Sequence, residues 1–181
     1  MSLVRRLLLA AAACCCVALC SARTASAAVL SLSPADTTVQ VNATFTLRVT
    51  CDAVADLKGL QTAWSYSALR LQLVSMTAGN VFTDPVGAWF EHTIPDVSAP
   101  ADTAWLDVAR LNGTAQGPGV VAYVRFKALV PGDAPVGCVL AEMRDSQNVS
   151  LAPGCSPGVV HVAAPTAVSR PTWGRLKLRA R

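Results

Sequence analysis

The chain has 181 residues, 52% of them hydrophobic and 14% charged, with a formal net charge of +4. That charge is unevenly placed: three of the fifteen Lys and Arg lie in residues 1–27 and five follow Pro165, so residues 28–164 set seven cations against eleven Asp and Glu, a net −4. A nucleic-acid-binding domain presents a basic face, so this balance excludes nucleic acid as the partner of the central region.

Residues 1–27 read as a secretory signal. Arg5 and Arg6 precede an uninterrupted apolar run from Leu7 to Leu19, and Ala25-Ser26-Ala27 supplies small residues for cleavage after Ala27. The run is short of the roughly 20 residues that span a bilayer. Cys14, Cys15, Cys16 and Cys20 lie within this signal and leave Cys51, Cys138 and Cys155 to the mature chain. Export permits a disulfide. Cys138 and Cys155 bracket one hairpin and are the expected pair, while Cys51 continues an apolar strand face and reads as a buried, unreactive thiol.

Short strands follow in order. Val29–Leu32 is the first. In Thr44–Thr50, Phe45, Leu47 and Val49 share one face. Leu57–Tyr66 places Leu60, Thr62, Trp64 and Tyr66 together, and Leu69, Leu71 and Leu73 mark the next strand after a turn at Ser67-Ala68. Val86–Ile94 and Thr103–Arg110 come next, then the turn signal Asn112-Gly113. Gly119–Val130 is the longest alternation, with Val120, Ala122, Val124, Phe126, Ala128 and Val130 on one side and Tyr123, Arg125 and Lys127 on the other. Val136–Met143 and Gly158–Val162 close the domain. Nine such strands, separated by Gly, Pro, Asn and Asp, predict an all-β, antiparallel nine-stranded β-sandwich over residues 28–164. Residues 165–181 read as a linker and a basic tail.

Three segments resemble the cohesin family, whose fold is a jelly-roll sandwich related to cellulose-binding modules. Leu57-Lys58-Gly59-Leu60-Gln61-Thr62-Ala63-Trp64-Ser65-Tyr66 is similar to one family strand. Leu69–Ser75 is similar to the strand that follows it, and Gly119–Leu129 to a third that ends in a Phe-Lys-Ala-Leu word. The family's Tyr-Asp-Pro turn is Tyr66-Ser67-Ala68 here, without the aspartate. The resemblance implies jelly-roll topology and a non-catalytic module that binds a protein, dockerin-type, through one sheet face. The tail, with Trp173-Gly174 followed by Lys177 and arginines, resembles a short C-terminal word of some exported bacterial proteins and implies surface attachment.

Candidate sites follow from side-chain chemistry. Tyr123, Arg125 and Lys127 form a candidate partner-binding face. Trp89 and Trp105, opposite the aliphatic sets of their strands, are candidates for stacking on sugar rings, which makes polysaccharide the alternative ligand. Pairs such as Asp52 and Asp56, or Asp96 and Asp102, lack the spacing of a calcium loop, and no metal or cofactor is expected. With two histidines and neither a Gly-x-Ser-x-Gly nor a His-Glu-x-x-His motif, no enzyme is expected. The expectation is a monomeric binding module, secreted or held at the cell surface, whose tail contacts the envelope.

Overall fold

The computed structural model describes residues 28–83, 89–94 and 102–165, with backbone alone for Trp89, Phe90 and residues 92–94. The signal segment, the tail and Asp96 lie outside the described residues. Among the described residues eleven strands run in order: β1 (Val29–Ser33), β2 (Asp36–Gln40), β3 (Thr44–Cys51), β4 (Leu57–Tyr66), β5 (Leu71–Ala78), β6 (Trp89–Ile94), β7 (Thr103–Arg110), β8 (Gly119–Ala128), β9 (Gly132–Asp145), β10 (Gly154–Ser156) and β11 (Gly158–Ala163). One helical turn, α1 (Asn80–Thr83), follows β5. The strands form two sheets. Sheet A has the order β10-β1-β3-β8-β5, and sheet B the order β2-β11-β9-β4-β7-β6.

The sandwich exists because both sheets alternate. Leu30, Leu47, Val49, Val124 and Phe126 of sheet A face Leu60, Trp64, Leu106, Val108, Val136 and Met143 of sheet B, all almost fully buried. The contact between layers centres on Phe126, whose ring lies 5.1 Å from Tyr66 of the opposite sheet and 6.0 Å from Phe45 of its own. Thr62 is buried among these apolar groups and donates its hydroxyl to the Leu140 carbonyl at 3.2 Å, which satisfies it.

The long alternating strand is β8, hydrogen-bonded on both sides. Its pattern holds from Ala122 to Ala128 and breaks at Val120. Thr50 pairs with Val120 while Val49 pairs with Ala122, so Val121 is the extra residue of a bulge and takes the buried position expected of Val120. Gly79 sits against this bulge, donating its amide to the Val121 carbonyl at 2.9 Å. A Cβ there would come within 2.2 Å of the Val120 oxygen, so only glycine allows the approach. At the other end Val130 lies beyond the strand and is 42% exposed. Leu69 also departs from expectation. The Ser67 carbonyl accepts from the amides of Arg70 and Leu71, which closes a turn and leaves Leu69 69% exposed ahead of β5.

The two strands that alternation did not reveal, β2 and β10, close one side of the sandwich. The chain leaves β1 in sheet A and enters β2 in sheet B through Pro34-Ala35; it leaves β10 in sheet A and enters β11 in sheet B through Pro157. The crossovers touch, with the Val159 amide donating to the Ala35 carbonyl at 2.8 Å. As a result β1 pairs with β10 and β2 with β11 in parallel, whereas the interior ladders are antiparallel. Cys138 of β9 is bonded to Cys155 of β10, Cα to Cα 6.2 Å, and so links the two sheets beside the crossovers. Cys51 is a buried free thiol whose pKa is pushed up by burial, which suits packing and not reaction.

This closure generates two predictions. Cross-linking residues 17 apart removes chain entropy worth about 3 kcal/mol, so the Cys138→Ser, Cys155→Ser double variant should lose about that much in urea unfolding. A loss well under about 1 kcal/mol would mean that the strand pairs alone close the sandwich.

The second concerns His161 of β11. Its Nδ1 lies 2.7 Å from the Asp133 carboxylate, its cross-strand partner, and its Nε2 lies 3.3 Å from Asp36 of β2. The Asp133 hydrogen bond, helped by both carboxylate charges, raises the imidazole pKa above its usual value, and desolvation opposes this. A raised folded-state pKa stabilises fully below the unfolded value of about 6.5, and the gain is lost as pH rises through the folded pKa. Relative to His161→Gln, the native protein should therefore gain stability in thermal melts on going from about pH 9 to about pH 6. A pH-independent difference would remove the ion pairs as its cause.

Candidate functional site

Two broad faces point away from the core, and they differ in chemistry. On sheet B the register places side chains of β9, β4 and β7 in rows: Leu140, Ala63 and Trp105; then Glu142, Gln61 and Asp107; then Arg144, Gly59 and Ala109. In the last row Gly59 and Ala109 leave a hollow. It forms a groove of about 310 Å³ lined by Gly59, Gln61, Asp107, Ala109, Glu142 and Arg144. Arg144 reaches Glu142 at 3.6 Å along one rim, and both are about half exposed. A Cβ added at Gly59 meets the Val108 carbonyl at 3.8 Å and the Ala109 Cβ at 3.9 Å, so a side chain there would fill the groove without disturbing the sheet.

Above the groove the face turns apolar. Ala63 pairs with Leu140 and Trp64 with Cys138, which makes Val139 the extra residue of a bulge. Val139 is 62% exposed beside half-buried Leu140 and Trp105. The face thus joins an aromatic and two aliphatic side chains to a charged, partly paired rim.

Trp64 is fully buried, with no hydrogen-bond partner for Nε1 among the described residues, and Tyr66 packs on Phe126. Neither belongs to a surface platform. Trp105 stands on the outer face of β7. The backbone register pairs Trp89 with Arg110 and Ile94 with Trp105, and positions 105 and 110 belong to opposite faces of β7. The two tryptophans therefore do not share one row, and the side chain of Trp89 lies outside the described residues. Gln61 and Arg144 escaped notice in the sequence because isolated polar residues in strands signal only an outer face; their convergence with Glu142 depends on the pairing of β9 with β4.

Tyr123, Arg125 and Lys127 do share one face, the outer side of sheet A. Arg125 is exposed, and Tyr123 and Lys127 are partly so. Among the described residues no three His, Cys, Asp or Glu side chains gather as a metal site. Among those residues, too, no helix is long and apolar enough to cross a membrane.

The architecture is that of the cohesins. The sixth cohesin of Acetivibrio cellulolyticus scaffoldin B, solved with a Cel5 dockerin, superposes with a TM-score of 0.63 at 15% identity, over 76% of this chain and all of that one. The Clostridium thermocellum OlpA cohesin, solved with a dockerin, gives 0.63 at 11% identity over 76% and 100%. The non-cellulosomal cohesin of the archaeon Archaeoglobus fulgidus gives 0.61 at 12% identity over 76% and 92%. No protein-family profile matches the chain. No curated protein matches it in sequence. At these identities the likeness establishes a cohesin-like jelly-roll fold and nothing of the ligand.

Proposed function

We propose that this chain is a non-catalytic protein-binding module that docks a folded partner, dockerin-like in kind, on the outer face of sheet B. The observation that carries the reading is the composition of that face. Trp105, Leu140 and exposed Val139 lie beside a groove rimmed by Gln61, Asp107, Glu142 and Arg144. An apolar, aromatic centre with a polar rim is the make-up of protein interfaces, and a groove gives a partner side chain somewhere to anchor. The cohesins solved with dockerins support a partner of that class.

The test is titration of the full chain against a panel of dockerin modules. Trp105→Ala should weaken the binding of whichever module engages by about 2 kcal/mol or more, the size of an interface hot spot. Gly59→Trp should abolish it by filling the groove, while circular dichroism reports an intact fold. Binding that survives both changes would move the site off sheet B. Polysaccharide binding is the alternative use of the same face through Trp105, and a tryptophan fluorescence change on adding soluble glucan, lost in Trp105→Ala, would favour it.

The module is exported in this reading, and its basic tail holds it at the envelope. N-terminal sequencing of the exported protein should begin at Ala28. Deleting residues 171–181 should release the protein into the medium; unchanged fractionation would discard the anchoring role.

A further inference from the structure

The sandwich distributes its charges unevenly between layers. The five strands of sheet A contain no Asp or Glu, and their cations are Arg48, Arg125 and Lys127. The strands of sheet B carry Asp36, Glu91, Asp107, Asp133, Glu142 and Asp145, together with Lys58, Arg110 and Arg144. Soluble surfaces ordinarily intersperse the two signs, as sheet B does, and a single-sign field over one face attracts the opposite charge. Neither Arg125 nor Lys127 lies within ion-pair distance of a carboxylate among the described residues. Arg48 reaches the Ser33 hydroxyl at a long 3.4 Å.

The register gives these cations defined neighbours. Arg125 lies between Thr46 of β3 and Ser75 of β5, and Lys127 between Thr44 and Gln72. Tyr123 lies between Arg48 and Thr77. Each row thus holds one positive charge, and the other positions carry hydroxyls, an amide or a tyrosine ring. Rows are about 6.8 Å apart, two strand rises of about 3.4 Å. The field sits in the interior of the sheet, since β8 is paired on both sides.

We propose that the outer face of sheet A is a second binding surface, for an acidic polysaccharide bearing carboxylate or sulfate groups. The anionic groups pair with Arg48, Arg125 and Lys127, where charge-assisted bonds are strongest. The sugar hydroxyls meet the flanking Thr, Ser and Gln side chains, and one ring packs on Tyr123, which is half-buried at a position between Arg48 and Thr77. An acidic peptide fits less well. An extended peptide binds sheets by adding to an edge strand, and these cations are on interior strands. A single-stranded nucleic acid stacks its successive bases on aromatic rings, and here Tyr123 is the aromatic residue of the grid. This surface is independent of the groove on sheet B and makes the module two-faced.

The experiment uses the full chain, with polygalacturonate and heparin as acidic glycans, dextran as the neutral glycan and poly-glutamate as the acidic peptide. The wild type should bind the acidic glycans, bind neither dextran nor poly-glutamate comparably, and weaken as salt rises. Arg48→Gln, Arg125→Gln and Lys127→Gln should each lower affinity by about tenfold, the effect of removing one charge-assisted hydrogen bond. Arg125→Lys should restore part of that affinity, and Gly59→Trp should leave glycan binding unchanged. The native tail is present in every variant, so its five cations contribute equally. Thermal melts check that each variant folds. A folded triple Gln variant that binds as tightly as the wild type overturns the proposal. So does equal binding of poly-glutamate, or no binding of either acidic glycan.

Discussion

Everything in this protein hangs on two sheets burying one face each against the other. Strand side chains alternate, so a residue that does not enter the shared core must stand on an outer face. Phe126, Trp64, Leu47 and Met143 occupy the inner positions and exclude water from the centre. Burying each such side chain stabilises by about 1.5–3 kcal/mol, enough in sum to fix the register. A slip by one residue would turn the whole core set outward. The bulges at Val121 and Val139 are two of the places where that register is locally adjusted, beside those at Lys58 and Val74. The first two change the surface: one lets α1 pack against β8 through Gly79, and the other puts Val139 into solvent beside Trp105.

The second constraint is topological. The first and last segments each cross from sheet A to sheet B, and their crossovers touch through Ala35 and Val159. Two parallel pairs result, which cover the edges of β1 and β11 with the short strands β10 and β2, and the Cys138–Cys155 link ties the two sheets together beside them. The His161, Asp133 and Asp36 cluster lies on that same seam and joins β2, β11 and β9 by charge. A rigid scaffold of this kind suits recognition, because a flat, fixed face loses little conformational entropy on binding.

With the core residues committed to packing, function is left to the two outer faces, and these differ. Sheet B offers aromatic and aliphatic groups beside a charged groove. Sheet A offers cations and hydroxyls without a single acidic residue in its strands. A net charge of −4 for residues 28–164 hides this division, since a sum over the chain carries no information about which layer each charge occupies. The cohesin-like fold accommodates both faces without demanding either ligand.

Local alternation by itself determined which residues face inward along β3, β4, β7 and the Ala122–Ala128 part of β8, and so the sandwich class, the burial of Trp64 and the shared face of Tyr123, Arg125 and Lys127; it misplaced Val120, whose position the bulge gives to Val121. Those are properties of single strands, where a period of two is set by backbone geometry. Short β2, with Val39 as its apolar residue, and three-residue β10 carry too little pattern to be seen; each exists because a neighbouring strand supplies its hydrogen bonds. Only the tertiary structure decided which strands lie side by side. That pairing brings Gly59, Glu142 and Asp107 to one groove although they are far apart in the chain. It separates the positions of Trp89 and Trp105, and it gathers Arg48 with Arg125 and Lys127. Registers between distant segments depend on long-range packing and bulges, and no short stretch of sequence contains them.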